Sequence, residues 1–380
     1  MVAHYVGLRA EVRAARDTRV TARVKTPKKN FWSGEFEIAR IFDETHDVKT
    51  LRLVSPDGGP LPFTHVAGQY VNLALTVGGR RVNRSYTIAS SPTRSAYVVV
   101  SVKRARDGYG SHHLHDTGRE GQRVTVSGPA GRFVLPGDEA PRVVLIAGGI
   151  GITPMMAVVR SLTDRGWRGE IYPLFSVRVV RDIVFRDELA YLQARFRNLH
   201  LRVIVSRDPE TSWDGPRGQI TRDVLADFIP DLTRGPVLLC GPDPMMTAMR
   251  AILVGMRVPD ADILQEAFVS PPAFEPMAGD AAVAAPEEPL PDGVAANIIF
   301  RRAGKSAEML HAQTVLEAAE DAGVDIPFEC RSGICGQCKT PLIAGRVRMD
   351  VEDALTAADR SRGLILACQA HATRDIEVDA

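Results

Sequence analysis

The sequence is sparing in several features, and each absence narrows what the chain can be. Its 380 residues include five cysteines, Cys240, Cys330, Cys335, Cys338 and Cys368. Four of them gather near the C-terminus and nothing resembling a secretory signal opens the chain, so a disulfide framework fits poorly and a reducing, cytoplasmic setting is expected. No apolar run reaches the roughly 18 residues that a helical membrane span needs. Neither sign of charge prevails: 47 Lys and Arg face 46 Asp and Glu, a net charge of +1, which argues against a dedicated nucleic-acid binder. No set of histidines and carboxylates has the spacing of a non-haem iron centre, so no substrate-oxidising site is visible in the chain itself.

What is present divides into segments. A hydrophobic content of 45% over this length suffices for two or three cores. Residues 1–35 form a basic extension, with Arg9, Arg13, Arg16, Arg19, Arg23, Lys25, Lys28 and Lys29 against Glu11 and Asp17. Such a run reads either as a solvated tail or as a docking arm for an anionic membrane surface or an acidic partner. From 36 to 136, short alternating runs such as Val71–Leu75 and Tyr97–Val102 recur between turn clusters, the pattern of an antiparallel β-barrel. From 137 to 270, apolar strands alternate with helical stretches, as in a doubly wound α/β sheet. Residues 271–292 are rich in Pro, Ala and Glu and read as a linker. Residues 293–380 form a last small domain.

Three motifs carry chemistry. Cys330, Cys335 and Cys338, with Cys368 at long range, have the C-x4-C-x2-C…C spacing of a plant-type [2Fe–2S] site rather than the paired spacing of structural zinc. The small residues Ser332, Gly333 and Gly336 let a loop wrap closely round such a core. Gly148-Gly149-Ile150-Gly151-Ile152-Thr153-Pro154 follows an apolar strand and precedes a helix. Its glycines allow backbone to approach a pyrophosphate, and Pro154 suits a first helical turn, although this is not the G-x-G-x-x-G fingerprint. Arg84-Ser85-Tyr86-Thr87 ends a strand of the barrel.

These residues resemble two families. Arg84 to Thr87, preceded by His65–Tyr70 and followed by Val102 and by Gly110-Ser111, is similar to the flavin-binding signature of the ferredoxin–NADP reductase family. Phe328 to Cys338 resembles the cluster loop of plant-type ferredoxins. The resemblance implies an antiparallel β-barrel for flavin, a doubly wound α/β nucleotide domain and an α+β plant-type ferredoxin domain. It implies that Arg84 clamps a flavin phosphate, Tyr86 packs on the ring, and Thr87 hydrogen-bonds near N5. Gly110 and Ser111 would complete the phosphate cradle, which favours FAD over FMN. Gly148, Gly149, Gly151, Thr153 and Pro154, with Gly241 and Pro242, would form the nucleotide site. Cys240 and Glu266 would stand by the hydride-transfer position, and Phe268 would reach the flavin. Ser176 and Arg178, with Arg207 and Arg217 as further candidates, would read the 2′-substituent of NADPH or NADH, with a slight lean to NADPH. His112, His113 and His115, beside the phosphate loop, read as surface residues of a helix, since hydride transfer to flavin needs no general acid.

The function implied is an NAD(P)H-dependent reductase that passes electrons through FAD and a [2Fe–2S] cluster to an external oxygenase or desaturase protein. A flavin and iron–sulfur sensor or carrier, reduced by another donor, is the alternative.

Overall fold

The computed structural model describes residues 32–77, 80–106, 108–137, 139–207, 213–268, 294–310, 313–328, 331, 333, 336–349, 351, 352 and 354–380. The basic run, the linker, Cys330 and Cys335 lie outside the described residues.

Alternation builds the first unit. In β1 (Trp32–Thr45), β2 (Val48–Val54), β3 (Tyr70–Val77), β4 (Arg80–Thr87), β5 (Val98–Lys103) and β6 (Arg123–Ala130), antiparallel neighbours run in the order β4-β3-β6-β1-β2-β5. Ile88, just past β4, bridges Val100 of β5 and brings the two edges together into a barrel. Val71, Leu73 and Leu75 of β3 point inward, every second residue, as the strand period dictates. A helix, α1 (Tyr109–Thr117), closes one end through Leu114. The first strand begins at Trp32 and not at 36: Trp32 to Glu37 pair with Gly128 to Arg123. The Trp32 ring packs edge-on against Phe36 at 5.2 Å. The basic run immediately before it hides this start in the sequence.

The second unit is a parallel sheet of β7 (Arg142–Gly148), β8 (Glu170–Val177), β9 (Arg202–Val205), β10 (Val237–Gly241) and β11 (Ile263–Ala267), in the order β11-β10-β7-β8-β9. The crossings between these strands hold α2 (Ile152–Asp164), α3 (Arg186–Arg195), α4 (Arg222–Phe228) and α5 (Asp243–Gly255). Every residue of β7 is buried, as expected of a central parallel strand covered on both faces. The order reverses between β7 and β10, and that switch point is where open sheets of this kind bind ligands.

The third unit is α+β. Its strands are β12 (Val294–Phe300), β13 (Lys305–Leu310), β14 (Lys339–Ala344), β15 (Val347–Met349), β16 (Leu364–Leu366), β17 (Ala370–Ala372) and β18 (Ile376–Val378), with helices α6 (Val315–Asp321) and α7 (Ala357–Ser361). The main sheet runs β13-β12-β18-β14-β16, and β15 pairs with β17. A capping box starts α6: Thr314 Oγ1 accepts from the Glu317 amide at 3.2 Å, and Glu317 Oε2 accepts from the Thr314 amide at 2.9 Å. Among the described residues, no helix is long and apolar enough to cross a membrane.

The first two units are fastened together. Arg160 of α2 donates to the Ala89 carbonyl of the barrel at 2.7 Å and to both oxygens of Glu188 at 2.8 and 2.5 Å. Arg94 and Thr93 of the barrel donate to Asp164.

Candidate active site

Strand β4 supplies one wall of a cavity of about 620 Å³, contributing Arg84, Ser85, Tyr86 and Thr87. It lies in register with β3, Thr87 opposite Tyr70 and Ser85 opposite Asn72, so Tyr70 lines the same wall. Thr87 is 5% exposed, and its Oγ1 is buried without a hydrogen-bond partner. A buried hydroxyl left unpaired costs on the order of 1–3 kcal/mol, so this atom is suited to the polar edge of a ligand.

The floor is the loop leading into α1. Ser111 Oγ donates to the Gly108 carbonyl at 2.7 Å and accepts from the Ala105 amide at 3.1 Å. These bonds fold the loop, and Ser111, expected in the phosphate cradle, lines the cavity together with Arg84. Gly110 makes room for this arrangement: a Cβ there would lie 3.2 Å from Arg84 Cγ. Val102 is buried behind the wall, and its carbonyl accepts from His115 Nε2 at 2.8 Å. His112 Nε2 donates to the Ala105 carbonyl at 2.7 Å. These two histidines therefore pin α1 to the barrel rather than decorate its surface.

The nucleotide unit supplies Ile150, Thr153, Glu266 and Phe268 to the same cavity. Thr153 and Pro154 fall in the first turn of α2, which begins at Ile152, inside the glycine motif. Gly148, Gly149, Gly151, Gly241 and Pro242 form the paired turns behind that wall, at the switch point. Close approach there requires glycine, because a Cβ on Gly151 would stand 2.3 Å from the Cys240 carbonyl oxygen. Cys240 is fully buried beneath the wall, beside Glu266 in the β10–β11 register. Burial pushes its thiol well up, and the Glu266 charge adds to this. Glu266 is partly buried as a residue, yet its Oε2 is enclosed and unpartnered. Burial raises this carboxyl to about 7, against the pull of Arg331 and with the push of Glu320. Ser176 and Arg178 stand outside the cavity wall, at the C-terminal end of β8. Arg178 is exposed, and its carbonyl accepts from the amide of the equally exposed Arg207 at 2.8 Å.

The third unit reaches the cavity through Phe328 and Arg331. Arg331 follows Cys330 with φ of +52°. Its guanidinium lies 3.7 Å from the Phe328 ring centre and 4.5 Å from that of Tyr70. It forms a two-pronged pair with Glu320 at 2.6 and 3.0 Å and donates to the Tyr70 hydroxyl. Behind it, Cys338 and Cys368 are 2% and 5% exposed, with sulfurs 3.3 Å apart. That is far beyond a disulfide bond and suits two thiolates on one metal. Hydrogen bonding with Cys368 lowers the Cys338 thiol to about 7, which eases the deprotonation that metal binding requires. Sequence reasoning set Tyr70 and Lys103 in segments flanking the flavin signature but did not single out Arg331 or Arg132 as lining residues, because nothing local marks residues so far apart as neighbours.

The match to known proteins follows this division. The oxidoreductase FAD-binding domain matches residues 35–135, the oxidoreductase NAD-binding domain 145–251, and the 2Fe-2S iron–sulfur cluster binding domain 301–373. The glycine betaine monooxygenase reductase subunit of Pseudomonas aeruginosa is 33% identical over 343 residues, covering 90% of this chain and 93% of its own length. The chain belongs to the ferredoxin–NADP reductase family, as a member with its own ferredoxin domain. The ferredoxin reductase component of 3-ketosteroid-9-alpha-monooxygenase from Mycobacterium tuberculosis is 34% identical, covering 90% of this chain and 94% of that one. Among solved structures, phthalate dioxygenase reductase shares 26% identity at a TM-score of 0.53, covering 92% of this chain and 98% of that one. The chain is thus an oxidoreductase with FAD-binding, NAD-binding and [2Fe–2S] domains, of the kind that serves oxygenases.

Proposed function

We propose that the chain draws electrons from NADPH at the Cys240–Glu266 edge and delivers them singly from the Cys330, Cys335, Cys338 and Cys368 cluster to a terminal oxygenase. The observation that carries this reading is one cavity walled by all three units, with Thr87 and Glu266, whose Oγ1 and Oε2 have no hydrogen-bond partner, both among its lining residues. A cavity lined by aromatic side chains and by residues with unpaired polar atoms fits a flat heteroaromatic ring with donors and acceptors on its rim. FAD, when bound there, supplies the exchange between a hydride and single electrons, and the cluster supplies one-electron transfer onward.

The residues then have distinct tasks. Arg84 and the amides of Gly110 and Ser111 hold the anionic end, Tyr86 packs on the ring, and Thr87 offers its hydroxyl to the ring edge. The glycine turns at 148–151 and 241 let the nicotinamide nucleotide lie against backbone at the switch point. Cys240, kept a neutral thiol by burial, gives the nicotinamide a small polarizable floor. Glu266 excludes water beside it and holds a proton below about pH 7. Ser176 and Arg178, with Arg207 alongside, offer two guanidiniums to a 2′-phosphate.

The relatives named above serve oxygenases for glycine betaine and for a ketosteroid. Those molecules share no recognition chemistry, so substrate choice belongs to the oxygenase and not to the reductase. Anaerobic stopped-flow mixing with NADPH or NADH tests the reading. Loss of flavin absorbance followed by loss of cluster absorbance is expected, faster with NADPH. No bleaching by either nucleotide would replace this reading with that of a sensor or carrier reduced by another donor.

A further inference from the structure

The ferredoxin unit has a core of its own, built on Ile298, Phe300, Leu316 and Val378, and Cys338 and Cys368 are packed into it. Next to Cys368, Gln369 is 2% exposed, a degree of burial at which a carboxamide needs partners. Its Nε2 donates to the Arg331 carbonyl at 3.0 Å and to the Cys368 carbonyl at 2.9 Å, and it meets Cys368 Sγ at 3.8 Å. Two hydrogens thus serve three acceptors, the sulfur being the farthest. The two carbonyls also fix which end of the carboxamide points this way, since an oxygen there would face oxygens. Oε1 is buried and has no partner among the described residues.

These contacts fall on the segment that follows cluster ligand Cys330. Arg331 has a left-handed backbone, with φ of +52°, a conformation that a residue with a Cβ keeps only where its surroundings hold it. Glu320 holds its guanidinium, and Gln369 holds its carbonyl. Two positions on, Gly333 lies directly against the Gln369 stem: a Cβ there would stand 2.8 Å from Gln369 Cγ. One side chain therefore fastens the loop of Cys330 to the segment of Cys368, across 38 positions of sequence. The positive end of its amide dipole is turned to the sulfur. A thiolate ligand gains negative charge when its cluster is reduced, and a fixed N–H beside it steadies that charge.

We propose that Gln369 is a positioning residue for the cluster, fastening the Arg331 turn to the Cys368 segment and directing an N–H at Cys368 Sγ, so that the cluster accepts an electron more readily. This rests on the four-cysteine assignment above. Because the Arg331 side chain lines the flavin cavity, the same carboxamide steadies both the loop that faces the flavin and the ligand behind it.

A redox titration of full-length holoprotein, followed by electron paramagnetic resonance, tests it on wild type, Gln369→Met and Gln369→Glu. Met keeps the length and bulk of the side chain without the N–H, and Glu sets a carboxylate oxygen in its place. Iron and acid-labile sulfide per chain give the occupancy of each protein. Reduction in Gln369→Met should be disfavoured by about tenfold, a midpoint lower by about 59 mV for one electron. Gln369→Glu should lie lower still. A side chain that only fills space would change occupancy or melting and leave the midpoint of the assembled cluster where it was; that result overturns the proposal. Should neither variant take up a cluster, pulsed resonance on reduced wild type with isotopically labelled glutamine side-chain nitrogen decides. A coupling to the cluster that survives Gln337→Ser, which removes the exposed glutamine of the ligand loop, is expected, and its absence overturns the proposal. Wild type without a [2Fe–2S] signal would sink the cluster assignment and this inference together, whereas an unmoved midpoint sinks this inference alone.

Discussion

The carboxyl of Glu266 gives the sharpest quantitative handle on the site. Burial raises it from the ordinary 4.5 to about 7, Arg331 opposing and Glu320 reinforcing. At about 1.4 kcal/mol per pKa unit, this is about 3 kcal/mol of preference for the protonated form in the folded protein. Between those two values the folded state binds more protons than the unfolded chain. Stability from this group is therefore fully present below about pH 4.5 and lost as pH rises to about 7. Infrared difference spectra of holoprotein against Glu266→Gln, taken from acid to mild alkali, should show a protonated carboxyl stretch that disappears with a midpoint near 7. Replacing Arg331 by Gln, which removes the opposing positive charge, should move that midpoint upward. In thermal unfolding, wild type should lose stability relative to Glu266→Gln over the same range. A midpoint at an ordinary carboxylate value, or parallel stability curves for the two proteins, would refute the claim that this carboxyl is desolvated by its surroundings.

Three other outcomes follow from named contacts. Thr87→Val should weaken flavin retention by about tenfold, and Thr87→Ser should restore it, as read by flavin released on dialysis. Arg178→Gln should raise KM for NADPH by about tenfold or more and leave KM for NADH nearly unchanged; equal effects on both would remove Arg178 from 2′-phosphate recognition. Gly151→Ala forces a Cβ to within 2.3 Å of the Cys240 carbonyl oxygen. It should cost on the order of 1–3 kcal/mol in chemical denaturation, and a wild-type midpoint would show that the two turns do not interlock.

What could be read in the sequence was local. A glycine turn between an apolar strand and a helix, an Arg–Tyr–Thr strand end and a crowded set of cysteines each announce themselves within a dozen residues, because the chemistry needs those residue types side by side. The loop bonds of the Ser111 hydroxyl were not legible, because sequence shows a donor near a loop and not which carbonyl it meets. Arg331 stayed unremarked for a different reason. Tyr70 lies 261 positions before it, and only the folded chain brings them together. The same holds for Glu266, whose raised proton affinity arises from burial that no local pattern encodes, with Glu320 of another unit reinforcing it against the pull of Arg331.

The way the cores divide matches the demands of the two transfers. Hydride transfer needs reacting atoms about 3–3.5 Å apart and aligned, so the units that hold flavin and nicotinamide gain from being welded into one body. Here Phe133 and Ala89 of the barrel are buried among α2 side chains, and Arg160 crosses the same seam to the Ala89 carbonyl. A carrier that must be loaded at one protein surface and discharged at another gains from the opposite construction. Its core must close on itself, and its contacts must be ones that water can replace. Glu317 illustrates how this is achieved with a single side chain: Oε2 caps its own helix whether or not the domain is docked, and Oε1 alone reaches across to Asn72. Placing the inward-facing duty and the outward-facing duty on separate oxygens lets the contact break without unravelling α6.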